Sequence, residues 1–393
     1  MTPHRDHPFA RSQFARRANR FLETCWEKGW TEKPRLEPDY LWQLGAEGFD
    51  RADEVSIRSE AEVADFRLRL EKLCRSLRED ARLNALGHTM AYGQLKNAIH
   101  NRHALGRLWR EMPGLAATDI APPVIVVGQM RSGTTRVQRL LAADPRHCGT
   151  RFCDSHDAVP SRPDWRPIKA RAALFMARKV NPWLDTFHPF GPTRTDEEIG
   201  WLAAALSPAS FEAQWRIPSY LAFSEARDPA PVYCEFARIL RTDAAARSNA
   251  HRPRVLKCPQ FAEDLAALMA LLPEARIVMC ERDLDDVHAS SVSMVASQMA
   301  FQSEEHNLAG LEAEWSRKIA LREERMRADL PKAAPRVRFD DLNSDWRGEM
   351  RNVYEKMGFE PDAAAILAMT QEVERSSGQA FREHRKHRER FNF

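Results

Sequence analysis

Pro122–Thr135, Pro-Pro-Val-Ile-Val-Val-Gly-Gln-Met-Arg-Ser-Gly-Thr-Thr, constrains the fold of this 393-residue chain more than any other stretch. Val124 to Val127 form a short apolar run of β-branched residues, the pattern of a strand buried on both faces of a parallel sheet. Gly128 breaks the run, and a second glycine follows at Gly133. Val137, Leu140 and Leu141 then recur at helical spacing. Strand, glycine loop and helix in that order gather backbone N–H groups and the positive end of a helix around one point, which suits phosphate. The stretch predicts an α/β chain with an anion site at the end of a core strand.

The loop departs from that of nucleotide triphosphatases in one respect. Those loops end in Gly-Lys-Ser/Thr, with the lysine on the terminal phosphates and the hydroxyl on magnesium. Here Thr134 follows Gly133, and the cation lies inside the loop at Arg131. Ser132, Thr134 and Thr135 add hydroxyl donors. Such a set can hold an anion and a developing negative charge without an obvious metal. Gly128 to Thr135 resembles the 5′-phosphosulfate loop, Gly-x-x-Arg/Lys-Ser-Gly-Thr-Thr, of the sulfotransferases that use 3′-phosphoadenosine-5′-phosphosulfate (PAPS). The resemblance, to bacterial members of that family in particular, implies a P-loop three-layer α/β fold with a central parallel sheet of about five strands. It also implies that Arg131, Ser132, Gly133, Thr134 and Thr135 bind the donor.

Composition narrows the partners. The chain is 43% hydrophobic and 29% charged, as ordinary globular proteins are. A net charge of only +3 gives no ground for nucleic acid as a partner. No apolar run approaches the roughly 18–20 residues that cross a bilayer. The opening Met-Thr-Pro-His-Arg-Asp-His-Pro lacks the apolar core of a signal peptide, so a cytoplasmic location is expected. Seven cysteines, an odd number with no Cys-x-x-Cys pair, are expected to be reduced thiols. Cys148, Cys153, His156 and His147 fit no common zinc spacing, and no metal is expected.

Residues 1–120 read as a mostly helical region, and residues 121–393 as the core domain. Arg5, Arg11, Arg16, Arg17 and Arg20 make the first segment basic, which predicts a solvated helix face. Phe66, Leu70, Leu73 and Leu77 form an apolar stripe, continued to Gly87 as a helix stop. A further helix is expected from about Met90 to Met112. Asn84 to Gly87 and Asn101-Arg102 resemble features that precede the loop in the bacterial enzymes. By that resemblance the region packs on the core and walls the acceptor pocket.

Beyond the loop helix, Arg146 to Pro192 is rich in Pro, Trp, His and Arg with little periodicity, and is expected to carry substrate-facing loops. Thr193 to Leu206 follows, with Thr195 or Asp196 as a helix cap and Glu197 and Glu198 in the first turn. These acids either match the helix dipole or include a catalytic base. Glu197 is the first candidate base and Glu198 the second; Asp154 and His156 are rivals. Trp and Phe residues between Phe152 and Phe223 suit either an aromatic-lined pocket or core.

Arg254 to Pro259 reads as a second strand with Lys257 near its end, and Ala275 to Cys280 as a third, running into Glu281-Arg282-Asp283. Ser290 follows on the next helix. Polar groups at the C-terminal ends of parallel strands are where ligands bind in open α/β sheets. Arg282, Asp283 and Ser290 resemble the family's 3′-phosphate signature, Arg-Asp-Pro with a serine further on, although Leu284 replaces the proline. Lys257 matches the family's Lys-Ser/Thr-Pro, with Cys258 replacing the hydroxyl. The resemblance implies that Arg282 and Ser290 hold the 3′-phosphate. Pro335 to Leu342 suggests one more strand, and the tail from Phe381 to Phe393 is basic. In that tail His384-Arg385, Glu389 and Phe391 resemble the family's C-terminal pattern.

The family reading is a sulfotransferase that moves a sulfuryl group in line from PAPS to a hydroxyl or amine, with Arg131 and Glu197 as catalytic residues. A small molecule, a lipid or a saccharide is the expected acceptor. Two rivals stand beside it. A P-loop kinase or nucleotide hydrolase would need a lysine after Gly133 and a magnesium-binding aspartate, for which Asp283 and Asp340 are available. A non-catalytic nucleotide-binding module would bind without turnover.

Overall fold

The computed structural model describes residues 4–376 and Phe391. Five α-helices, Gln13–Glu27, Pro38–Gly45, Arg51–Val55, Glu60–Glu79 and Ala85–Glu111, and a 3₁₀ turn, Pro113–Leu115, precede the first strand among the described residues. Ser59 and Glu62 form a capping box at the start of Glu60–Glu79, which satisfies backbone N–H groups left open there. Phe66, Leu70, Leu73 and Leu77 of that helix are buried, as their spacing predicts. Gly87 does not stop it. The helix ends at Glu79, and Gly87 lies in the first turn of Ala85–Glu111, where its N–H donates to the Asn84 side chain at 2.8 Å. Glycine is required there for another reason: a Cβ would lie 2.0 Å from the Gln302 carbonyl oxygen.

The core is a five-stranded sheet, β1 Val124–Gly128, β2 Cys148–Gly149, β3 Arg254–Leu256, β4 Arg276–Glu281 and β5 Arg336–Arg338, in the order β2-β3-β1-β4-β5. Every pairing is parallel. The three-layer α/β expectation holds. β2 went unpredicted because two residues offer no period to read.

Alternate residues of β1 feed two apolar layers, as the pleat requires. Val124 and Val126 pack with Val137, Leu140 and Leu141 of the helix after the loop, and with Val353 and Tyr354. Ile125 and Val127 pack with Phe236, Leu240 and Leu268, and with Leu105 and Trp109 of the N-terminal helix Ala85–Glu111. The chain leaves β1 toward β2 on one side and leaves β4 toward β5 on the other, while β1 and β4 are neighbours. A crevice opens at such a reversal, outside the C-terminal strand ends. Gly128 and Cys280 face each other in register at that point. No described helix is long and apolar enough to cross a membrane.

Candidate active site

The glycine loop occupies the crevice. A Cβ on Gly128 would lie 2.6 Å from the Cys280 carbonyl oxygen, so only glycine lets β1 and β4 close up here. Gly133 has φ +91, in the left-handed region, and a Cβ would meet the Phe339 ring at 2.9 Å. Arg131 also has a positive φ, 71°, an unusual conformation for a residue with a side chain and one that collects at functional sites. Ser132 closes the loop: its N–H and hydroxyl both donate to the Gln129 carbonyl, at 3.1 and 2.6 Å. Its hydroxyl proton is thus engaged by the protein, unlike the free donor the sequence suggested. Thr134 and Thr135 begin the helix Thr134–Ala143, where the first N–H groups have no carbonyl to bond within the helix.

The two motifs meet. Arg131 Nε donates to Ser290 Oγ at 3.0 Å, and a terminal guanidinium nitrogen donates to the Phe187 carbonyl at 2.6 Å. Arg282 donates to the Arg131 carbonyl at 3.0 Å, pairs with Asp286 at 3.2 Å, and lies 4.2 Å over the Phe339 ring. Phe339 therefore braces both Gly133 and Arg282. Asp283 caps the helix Leu284–Met299, accepting from the N–H groups of Asp285 and Asp286 at 3.0 and 3.1 Å. Its carboxylate is engaged there, which weakens it as a magnesium ligand. Leu284 is the first residue of that helix, a place where proline fits because its N–H is not needed.

The loop helix also reaches the acidic segment. Gln138 donates to the Asp196 carbonyl at 3.0 Å. Arg139 donates to the carbonyls of Thr195 and Pro189 at 3.0 and 3.1 Å and lies 3.5 Å from the Asp196 carboxylate. The expected cap at Thr195 or Asp196 is not formed. The helix is Ile199–Ala203, with Glu198 at its N-cap position but no side-chain cap bond, so neither glutamate lies in its first turn. Asp196 instead accepts from the Glu197 N–H at 2.9 Å and bonds His188 at 2.8 Å. Burial opposes its charged form, but His188 and Arg139 prevail and hold its carboxyl well below the ordinary range.

Glu197 and Glu198 have opposite surroundings. Glu198 is fully buried, and burial pushes its carboxyl up to about 8 against the opposing effects of the Lys257 N–H, the Thr150 hydroxyl and Arg254. It accepts from the Lys257 backbone N–H at 2.7 Å and so ties down the end of β3. The Glu197 side chain is 15% exposed and forms an ion pair with the Lys257 ammonium, with His188 Nδ1 at 3.9 Å. Among the described residues, His188, Asp196 and Glu197 form a group close enough to share an ion. Arg139 and Lys257 already supply positive charge to its two carboxylates.

The rival bases are placed differently. Asp154 is buried against Arg151 at 2.7 Å, Arg166 at 3.3 Å and Arg247 at 3.4 Å. Burial raises its pKa, yet these cations hold it below the ordinary value, as in a structural ion cluster. His156 is exposed and rests on the Phe152 ring at 4.3 Å. Trp183, Trp201, Trp215 and Phe211 are buried core. The C-terminal motif lies outside the described residues apart from Phe391, whose ring lies 5.5 Å from the Arg5 guanidinium.

Residues 122–363 match the model of the sulfotransferase family, more than half of the chain. The chain belongs to the sulfotransferase family. Omega-hydroxy-beta-dihydromenaquinone-9 sulfotransferase Stf3 of Mycobacterium tuberculosis and its namesake of Mycobacterium bovis are each 24% identical to it over 261 residues, 62% of this chain and 65% of the relative. The chain thus spans just under two thirds of the length of these curated relatives. The crystal structure of sulfotransferase STF1 from Mycobacterium tuberculosis H37Rv superposes with a TM-score of 0.76 at 26% identity, covering 92% of this chain and 99% of that one. STF9 from Mycobacterium avium gives 0.76 at 16% identity, covering 91% and 95%, a likeness of fold.

Around Glu197 the structure gathers His188, Asp196, Arg139 and Lys257. Lys257 carried a signal, its place in Lys-Cys-Pro at a strand end. Arg139 and His188 carried none, since one lies within an ordinary helix and the other within an aperiodic insert.

Proposed function

We propose that this protein transfers the sulfuryl group of PAPS to the hydroxyl of a lipid-like small molecule. One observation carries the reading: Arg131 of the loop and Ser290 of the second motif are in contact, and Arg282 bonds the Arg131 backbone. A donor phosphorylated on both its 3′ and 5′ positions carries two phosphates on one ribose and needs two neighbouring anion sites, which the contact between the motifs provides, whereas a nucleotide phosphorylated only at its 5′ end needs one. The 5′ end is assigned to the Gly133, Thr134 and Thr135 amides with Arg131. The 3′-phosphate is assigned to Arg282 and Ser290. Ser132 contributes by shaping the loop.

In this scheme the acceptor oxygen attacks sulfur as the bond from sulfur to the bridging oxygen of the 5′-phosphate breaks. The hydroxyl proton passes to Glu197, and the electron pair left on the 5′-phosphate oxygen is stabilised by Arg131 and the loop amides. The transition state is loose, by analogy with phosphoryl transfer, so in-line positioning matters most. Glu197 is preferred to Glu198 because its side chain is partly exposed and is held in one orientation by Lys257, whereas Glu198 is sealed in the core.

The lipid-like acceptor rests on the menaquinone-derived compound in the name of the Stf3 relatives. Residues 1–120 are read as a region packed on the domain of residues 121–393, which Leu105 and Trp109 support by entering the sheet's core. We place the protein in the cytoplasm. The test is transfer of labelled sulfur from PAPS to a panel of hydroxyl-bearing isoprenoid quinones, phenols and saccharides without magnesium. Sulfation of a lipid hydroxyl is expected. Phosphoryl transfer from ATP, with none from PAPS, would contradict the assignment in favour of a kinase.

A further inference from the structure

Two helices expose apolar side chains in the same pattern. On Gln13–Glu27, Phe14 and Phe21 are exposed two helical turns apart, and so on one face, with Arg17 between them. On Arg166–Val180, Ile168 and Phe175 repeat the arrangement, 61% and 59% exposed, with Arg171 between them. The helices are joined. The Ser12 hydroxyl, which caps the first, donates to the Val180 carbonyl at the end of the second at 2.7 Å. Single exposed apolar residues are ordinary, but a repeated apolar–basic–apolar face on two linked helices is not.

We propose that this face docks on the surface of an anionic lipid bilayer. Charge selects that occupant. Helix Arg166–Val180 contains no acidic residue, and its exposed positions include Arg171 and Lys179. Arg16, Arg17 and Arg20 are exposed on the first helix. Basic side chains around aromatic ones favour anionic headgroups over neutral ones, with the rings entering the interface. Two such faces would repel each other, which argues against a second copy of the chain. The chain links the two regions: a short segment leads from Val180, at the end of the second helix, to Phe187, whose carbonyl accepts from Arg131. Docking would present a membrane-resident hydroxyl beside the donor loop, a consequence that rests on the function proposed above; the docking itself does not.

The test is co-sedimentation of the full chain with vesicles of phosphatidylcholine alone and of phosphatidylcholine with phosphatidylglycerol. Partition onto the anionic vesicles is expected, weakening as salt is raised. Arg17→Glu and Arg171→Glu are each expected to weaken it about fivefold or more. Phe14→Ser with Phe175→Ser is expected to weaken it by about tenfold. These variants should keep the parent's circular dichroism and its affinity for the product nucleotide, which separates loss of docking from loss of fold or of the donor site. Absence of partition onto anionic vesicles would overturn the proposal. So would partition unchanged by all four substitutions, or a lipid-free dimer that the Phe substitutions abolish.

Discussion

Arg131 Nε lies 3.0 Å from Ser290 Oγ, across 159 residues of sequence. One side chain therefore belongs to both motifs. Its backbone carbonyl accepts from Arg282, so the loop's shape depends on the strand end that supplies the second motif. That dependence sets what each substitution should do.

Arg282→Ala is expected to weaken binding of 3′-phosphoadenosine-5′-phosphate by roughly 30-fold, the loss of one charge-assisted hydrogen bond. Its 3′-dephospho analogue should lose much less. Titration calorimetry with both nucleotides checks this. Equal weakening would give Arg282 only the task of propping the loop through Arg131.

Arg131→Ala is expected to lower the transfer rate by about 10²- to 10³-fold, the usual effect of removing one donor aimed at developing charge. Thermal unfolding should show the fold intact, since Ala has the same Cβ and meets the positive φ at about the same cost as Arg. Full activity in that variant would sink the loop assignment.

The two glutamates separate cleanly by amide substitution. Glu197→Gln is expected to lower turnover by about 10²- to 10⁴-fold with product-nucleotide affinity unchanged, as for loss of a general base. Glu198→Gln should turn over near the parent rate at neutral pH, because glutamine resembles the neutral acid that burial enforces. The reverse outcome in a steady-state assay would make Glu198 the base.

Glu198 also predicts a slope of stability with pH. Its folded carboxyl titrates at about 8 against an ordinary 4.5, so the folded state binds more protons between those values. The contribution is fully present below the ordinary value and is lost as pH rises through about 8. Across that window the melting temperature of the parent should fall more steeply with pH than that of Glu198→Gln. Parallel melting curves would show that Glu198 titrates normally.

Legibility in the sequence followed periodicity. Val124 to Val127, two glycines and a helical stripe encode β1, the loop and its helix locally, and the structure matches them. Arg282 and Ser290 were readable as a spacing at a strand end, yet their contact with Arg131 was not, because it depends on strand order. Glu197 and Glu198 misled as cap-adjacent acids. Their real setting comes from Asp196, whose carbonyl and carboxylate are held by Gln138 and Arg139 from a distant helix. Gly87 read as a helix stop because the approach of Gln302 that demands a glycine lies far along the chain. Ser132 matched a donor position, but only the fold shows its hydroxyl turned back to Gln129.

The central claim is that the loop and the Arg282–Ser290 motif form one site for a nucleotide phosphorylated at both ends. Calorimetric titration of the purified protein with 3′-phosphoadenosine-5′-phosphate, beside AMP and ATP and without magnesium, tests it most directly. Binding of the bisphosphate in the micromolar range or tighter, with AMP and ATP much weaker, is the expected result. Preference for ATP, or no binding of any of the three, would contradict it.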